Sequence, residues 1–293
     1  MPRIAYVNGQ YVPHSEAGVH VEDRGFQFAD SVYEVIALID GHLADEAGHL
    51  DRLERSLSEL AIDLPMSRRS MKIVLRELVR RNRIRSANVY MQVSRGVAAR
   101  DFRCPRAAIP GIVMTIRPAV FNLSSRLNAA KKVVTTPDLR WKRRDIKTTM
   151  LLAQVLAREY AIQKGADDAW MVDEEGYVTE GAASNAWILD GKGNLLTRPT
   201  GHAILKGVTR SALQALCRQH KIRIVERAFT AAEAYKAKEA FMSSAVQMIA
   251  PVVSIDGKKI GTGKPGPVTQ KLIEMYMEYA ANPKSRQHEW DAK

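Results

Sequence analysis

Three short stretches in the second half of the chain hold residue types that can do chemistry together. Lys147 lies between a strand-like segment and the expected start of a long helix. A lysine at such an edge can be partly desolvated, which disfavours the ammonium form and leaves a nucleophilic amine; a solvated surface lysine is the plainer alternative. The run Val178-Thr179-Glu180-Gly181-Ala182-Ala183-Ser184-Asn185 sets one carboxylate among small residues that let a ligand lie close to backbone. Glu180 could pair there with a protonated ring nitrogen, or it could be the exposed acid of a tight strand connection. In Ile204-Leu205-Lys206-Gly207-Val208-Thr209-Arg210 a glycine opens a helix. Free amides and a hydroxyl at a helix start make an anion site, and ordinary capping by Thr209 competes with that reading.

Other chemistries lack their residues. The seven histidines show no paired ligand spacing, and no two cysteines are close, so a zinc site is not expected. No Walker sequence or dinucleotide fingerprint occurs, and no serine sits in a nucleophile elbow. Cys104 and Cys217 lie far apart and read as two reduced thiols. The net charge of +12 admits nucleic acid, an acidic surface or small anionic ligands. Its densest runs are Arg80, Arg81, Arg83 and Arg85, which close an amphipathic helix, and Arg140, Lys142, Arg143 and Arg144 around Trp141. Neither is a basic stripe with interleaved aromatics, so small anions are favoured over nucleic acid. No apolar run approaches the roughly 20 residues of a membrane helix, and the first residues lack a signal core. A cytoplasmic protein without a membrane partner is expected.

The elements that must position these residues alternate along the chain. Hairpins are expected to turn at Asn8-Gly9, Asp40-Gly41 and Asp256-Gly257. Leu50, Leu53, Leu57 and Leu60 recur at helical spacing and predict a helix over about 46–62. Ser67 or Ser70 can cap a second helix bearing Met71, Val74, Leu75 and Leu78. Strands are expected over 88–94 and 112–116, followed by a proline-opened linker. Beyond it come a strand at 132–136 and a helix from about Thr148 to Lys164, stopped by Gly165. Strands follow at 169–173, 186–189, 195–197, 222–225 and 240–242, with helices at 208–220, 231–236 and 267–281 and a polar, mobile tail from Asn282 to Lys293.

Taken in order, VEDRGFQFADSVYEV at 21–35, HLDRL at 49–53, RWKRRDIK at 140–147, VTEGAASN at 178–185 and ILKGVTR at 204–210 make the chain resemble the fold-type IV aminotransferases dependent on pyridoxal phosphate, nearest the D-amino acid (D-alanine) enzymes. The resemblance runs from about Ala5 to Ala280. It implies an α/β (α+β) fold of two domains with the cofactor in the cleft between them: a small domain over 1–117, a linker over 118–127 and a large cofactor-binding domain over 128–293. It implies a homodimer that acts on amino acids and 2-oxo acids. Lys147 would bond covalently to the cofactor and act as general base. Glu180 would keep the pyridine nitrogen protonated. Arg52, Gly207, Val208 and Thr209 would hold the phosphate, and Leu205 would pack on the ring. Tyr33 and Arg100 would meet the substrate, Arg100 through its carboxylate.

Three positions depart from the family's pattern. Phe102 stands where D-amino acid enzymes carry histidine, which removes a polar partner from the carboxylate trap. Ala245 replaces a phosphate-binding threonine, so backbone or Ser244 must serve there. Ala182 and Ala183 replace two serines after the glutamate. Phe102 keeps open a branched-chain L-amino acid or (R)-amine aminotransferase. A lyase of the same fold, such as aminodeoxychorismate lyase, would need Lys147 but no second substrate. A non-enzymatic basic binder remains the reading from charge alone.

Overall fold

The computed structural model describes residues 3–282, so the expected tail lies, from 283 on, outside the described residues. The chain divides into two compact units. One takes the chain up to Val120 together with Ile146–Met150; the other takes Phe121–Asp145 and the chain from Leu151 onward.

The first unit contains β1 (Ile4–Val7), β2 (Gln10–Pro13), α1 (Arg24–Phe28), β3 (Ser31–Ile39), β4 (His42–Leu43), α2 (Glu46–Glu59), α3 (Arg68–Asn82), β5 (Ala87–Ser94) and β6 (Gly111–Pro118). Its six strands form an antiparallel sheet in the order β2-β1-β6-β5-β3-β4. Both expected hairpin turns are present. Asn8 and Gly9 take φ of 46° and 98°, and Asp40 and Gly41 take 48° and 87°, the two positive values a tight hairpin asks for. One sheet face buries Val32, Ile36, Val89, Met91, Val93, Met114 and Ile116. Leu50, Leu53 and Leu57 of α2 and Met71, Leu75 and Leu78 of α3 close over that face. Ser67 is the residue that caps α3, its Oγ accepting from Ser70 N at 3.1 Å. Period-2 alternation therefore sends Glu34 to the helical side of β3 and Tyr33 to the opposite side.

The second unit contains α4 (Leu123–Leu127), β7 (Lys131–Pro137), α5 (Leu152–Gln163), β8 (Asp168–Val172), β9 (Val178–Gly181), β10 (Asn185–Leu189), β11 (Leu195–Thr197), α6 (Val208–Gln219), β12 (Ile224–Glu226), α7 (Ala231–Tyr235), β13 (Glu239–Ser244), β14 (Met248–Ile255), β15 (Lys258–Lys259) and α8 (Pro267–Ala281). Its mixed sheet runs β12-β11-β10-β13-β14-β7-β8-β9, with β15 added on β14. Trp170, Phe229, Met242 and Val252 lie in its core.

Two expectations about the working segments need correction. The long helix begins at Leu152, not near Thr148. Residues 147–149 run extended beside the start of β3 instead: Thr148 bridges Val32, Tyr33 N donates to Lys147 O at 2.9 Å, and Thr149 N donates to Ser31 O at 3.1 Å. Val178–Gly181 is itself a strand and not part of a connection. All four of its residues are buried, so neither face shows the polar alternation that marks a half-exposed strand.

Candidate active site

In the first unit, Lys147 is half-buried and pinned by its backbone. Its carbonyl accepts from Tyr33 N, and its amide donates to Ser56 Oγ of α2 at 3.3 Å. The ammonium nitrogen lies 4.1 Å from the centroid of the Tyr33 ring, a cation–π distance. Tyr33 stacks on Tyr90 of β5 with ring centroids 5.6 Å apart. Burial, then the neighbouring Tyr33, push the Tyr90 phenol up to about 12, so Tyr90 remains a neutral wall.

Glu34 and Arg52 meet on the other face of β3. Glu34 is fully buried, and the guanidinium of Arg52 donates to it through Nε at 2.7 Å and Nη2 at 2.8 Å. His49, one helical turn before Arg52, adds an Nδ1 contact at 2.7 Å. Burial alone would raise the Glu34 carboxyl, but Arg52 and His49 outweigh it and hold it at about 2. The planar fork of Arg52 is thus fixed along one edge by a carboxylate. Sequence reading placed a role on Arg52 and none on Glu34 or His49. The missed signal was a lone carboxylate in an otherwise apolar strand, which must have a buried partner.

Arg100 and Phe102 lie on the loop between β5 and β6, and both are exposed. Phe28, the last residue of α1, carries them: the Arg100 guanidinium stands 4.7 Å from its centroid and the Phe102 ring 5.7 Å.

In the second unit, Glu180 of β9 is 4% exposed, which removes the exposed-acid alternative. Its carboxylate accepts from Arg140 Nη1, from Asn185 Nδ2 at 2.9 Å, and from Leu205 N at 3.2 Å to each oxygen. Asp138 locks Arg140 from behind, with Nε at 2.9 Å and Nη2 at 2.7 Å, and accepts from Thr179 Oγ1 at 2.7 Å. Complete burial pushes the Glu180 carboxyl above its usual range, against the pull of Arg140 and the Leu205 amide. All three partners are donors, which favours the carboxylate form. Burial would lower the Arg140 pKa, but Glu180 and Asp138 outweigh it and hold the guanidinium firmly charged.

Gly207 is the N-cap of α6 and supplies no side-chain cap, and Thr209 does not cap it either. A Cβ at Gly207 would meet Asn185 Oδ1 at 2.1 Å, so glycine is required for the helix start to pass Asn185. Val208 and Thr209, both buried, open the helix. Ser244 ends β13, its Oγ accepting from Gln247 N at 3.1 Å, and Ala245 begins the turn to β14. The second unit thus brings together Glu180, Leu205 and Gly207 through Asn185, and the first unit brings together Lys147 and Tyr33.

These residues fit pyridoxal phosphate. Glu180 is an acceptor surrounded only by donors, the kind of group that pairs with a ring N–H. The α6 start presents amides uncapped by its N-cap residue, as a phosphate needs.

Comparison with known proteins agrees. The family described as Amino-transferase class IV matches residues 31–255. The D-alanine aminotransferase of Staphylococcus haemolyticus is 36% identical over 275 residues, covering 94% of this chain and 96% of the relative. That of Bacillus licheniformis is 37% identical over 266 residues, covering 90% and 93%. The solved branched-chain amino acid aminotransferase of Thermobaculum terrenum in its PLP form matches with a TM-score of 0.87 at 25% identity, over 97% of this chain and 96% of that one. The Escherichia coli branched-chain amino acid aminotransferase shares the fold, with a TM-score of 0.90 at 24% identity over 99% and 98%.

Glu34 makes stability depend on acid. Its folded value of about 2 lies below the ordinary 4.5. Its contribution is therefore full above 4.5 and is lost as pH falls toward 2. The difference corresponds to about 3 kcal/mol. Urea unfolding followed from pH 7 to pH 2.5 should show the wild type losing that much more than E34Q. Parallel curves for the two proteins would contradict the assignment.

Proposed function

The chain belongs to the class IV amino-transferases, which work with pyridoxal phosphate, and from that premise we propose that it moves the amino group of a D-amino acid such as D-alanine to a 2-oxo acid such as 2-oxoglutarate. The observation that carries the substrate class is likeness to two D-alanine aminotransferases over at least nine-tenths of the chain. Pyridoxal phosphate supplies, when bound, an electron-withdrawing ring that accepts the electrons left as the amino acid loses its α-proton.

The chain's own residues do the rest. Lys147 would hold the cofactor covalently, and its Nζ would take the α-proton as general base and give it back as acid. Backbone pinning on Tyr33 and Ser56 lets that side chain swing while its peptide stays put. Glu180, held by three donors, would keep the ring nitrogen protonated. Arg52 and the Gly207-Val208-Thr209 helix start bind the phosphate, with backbone or Ser244 serving where Ala245 has no hydroxyl. Leu205 and Tyr33 would help hold the ring, and Arg100 would meet the substrate carboxylate. The 1–117 segment is the small domain, with Ile146–Met150 packed on it, and the described residues from 128 on are otherwise the cofactor domain, joined by 118–127.

One feature favours a second reading. Phe102 is apolar, donates nothing and is 88% exposed, which suits a branched-chain L-amino acid or an (R)-amine.

The chain pairs with a second copy of itself. On α5, Leu152, Val155, Leu156 and Tyr160 share one helical face and are 69%, 59%, 57% and 41% exposed. A stripe of large apolar side chains left open to water marks an association surface. A cytoplasmic location accords with Cys104 and Cys217 both being unbridged. No helix of the described residues is long and apolar enough to cross a membrane.

Initial rates with D-alanine and 2-oxoglutarate should give parallel double-reciprocal lines, the mark of a double-displacement order. K147A should lose turnover by about 10³-fold or more. Intersecting lines, or turnover without any 2-oxo acid as in a lyase, would contradict the proposal. Sedimentation should give twice the chain mass for the wild type and the chain mass for a Leu152→Asp, Leu156→Asp variant; a monomeric wild type, or a variant that still pairs, would remove the α5 interface.

A further inference from the structure

The loop bearing Arg100 and Phe102 is tied to the first unit by a buried cation. Arg24 opens α1 and is 4% exposed. Its Nε donates to Asp30 Oδ2 at 2.8 Å, and its Nη1 donates at 2.7 Å to the carbonyl of Asp101, the residue between Arg100 and Phe102. Its backbone amide donates to Gly96 O at 2.9 Å, near the other end of the same loop. Its guanidinium also lies 4.7 Å from the Phe28 centroid, the ring on which Arg100 rests at the same distance. Asp30 is held in turn by Arg95, through Nε at 2.8 Å and Nη2 at 3.0 Å. It immediately precedes β3, the strand that carries Tyr33. Arg24 therefore joins the start of the Tyr33 strand to the carbonyl of Asp101, the residue after Arg100, through one rigid plane.

Arg100 itself is exposed and, among the described residues, is paired with no carboxylate; it rests on the Phe28 ring. A cation held by a ring, on a backbone anchored at the next residue, is aimed but not neutralised, which is what capture of an external anion requires.

We propose that Arg24, with Phe28, is a positioning residue for the amino donor: it sets the place of Arg100 and so the capture of the substrate carboxylate. The proposal rests on the reading that Arg100 meets that carboxylate. Lysine at position 24 keeps the charge for Asp30 but cannot span Asp30 and the Asp101 carbonyl with one planar fork. A displaced Arg100 weakens substrate capture and leaves the groups that hold the cofactor alone.

The test is steady-state kinetics of the holoenzyme with D-alanine and 2-oxoglutarate for the wild type, R24K, F28L, R100A and the doubles R24K/R100A and F28L/R100A. R24K and F28L should each raise the KM for D-alanine about tenfold, with kcat within about twofold and cofactor absorbance unchanged. In the R100A background neither change should raise KM further, because each acts through Arg100. A rise of the same factor without Arg100, or a wild-type KM in R24K and F28L while R100A is impaired, overturns the positioning role alone. A wild-type KM in R100A overturns the Arg100 assignment and the proposal with it. Should R24K fail to fold, the F28L pair decides by the same comparison.

Discussion

A carboxylate taken out of water has to be surrounded by donors, and the donors that surround it are held in turn. Among the carboxylates this protein buries, one in each of its two units has a working group beside it. Glu34 grips Arg52 along one edge of its fork. Glu180 gathers Arg140, Asn185 and the Leu205 amide. Removing a partner from such a set leaves a charge uncompensated, at about 3–5 kcal/mol, so these are the least adjustable parts of the fold.

Secondary structure serves these two constraints. Strand alternation places Glu34 on the helical face of β3 and Tyr33 on the opposite face, so one strand supplies the anchor for Arg52 and the wall beside Lys147. The extended segment at 147–149 borrows hydrogen bonds from the start of the same strand. In the second unit, Asn185 contacts both Glu180 and the Leu205 carbonyl, and only a glycine at 207 lets α6 begin against it. Glu180 and the α6 start are therefore set by a shared side chain.

Much of this was legible in the sequence where the deciding interactions are local. The Asn8-Gly9, Asp40-Gly41 and Asp256-Gly257 hairpins rest on neighbouring residues, as do the apolar faces of α2 and α3 and the Ser67 cap. The start of α5 was misplaced because Lys147, Thr148 and Thr149 are held by a strand far away in the chain. β9 was hidden because burial on both faces erases alternation. In the candidate site, Lys147, Glu180 and Gly207 had plain chemical reasons of their own, each balanced by an ordinary alternative. Thr209 was ambiguous until the N-cap of α6 proved to have no side-chain bond. Arg52 and Arg100 drew their roles from motif order alone. Glu34, Arg140 and Arg24 act by contacts across elements, and no short window of residues contains both partners.

The central claim is that Lys147 serves a D-amino acid transaminase, and its most direct test is the first half-reaction. Purified holoprotein would be mixed with D-alanine, and separately with L-leucine, and the absorbance of the Lys147-bound cofactor followed. Rapid loss with D-alanine alone is the result predicted here. Rapid loss with L-leucine alone would contradict the substrate class while leaving the cofactor and Lys147 in place.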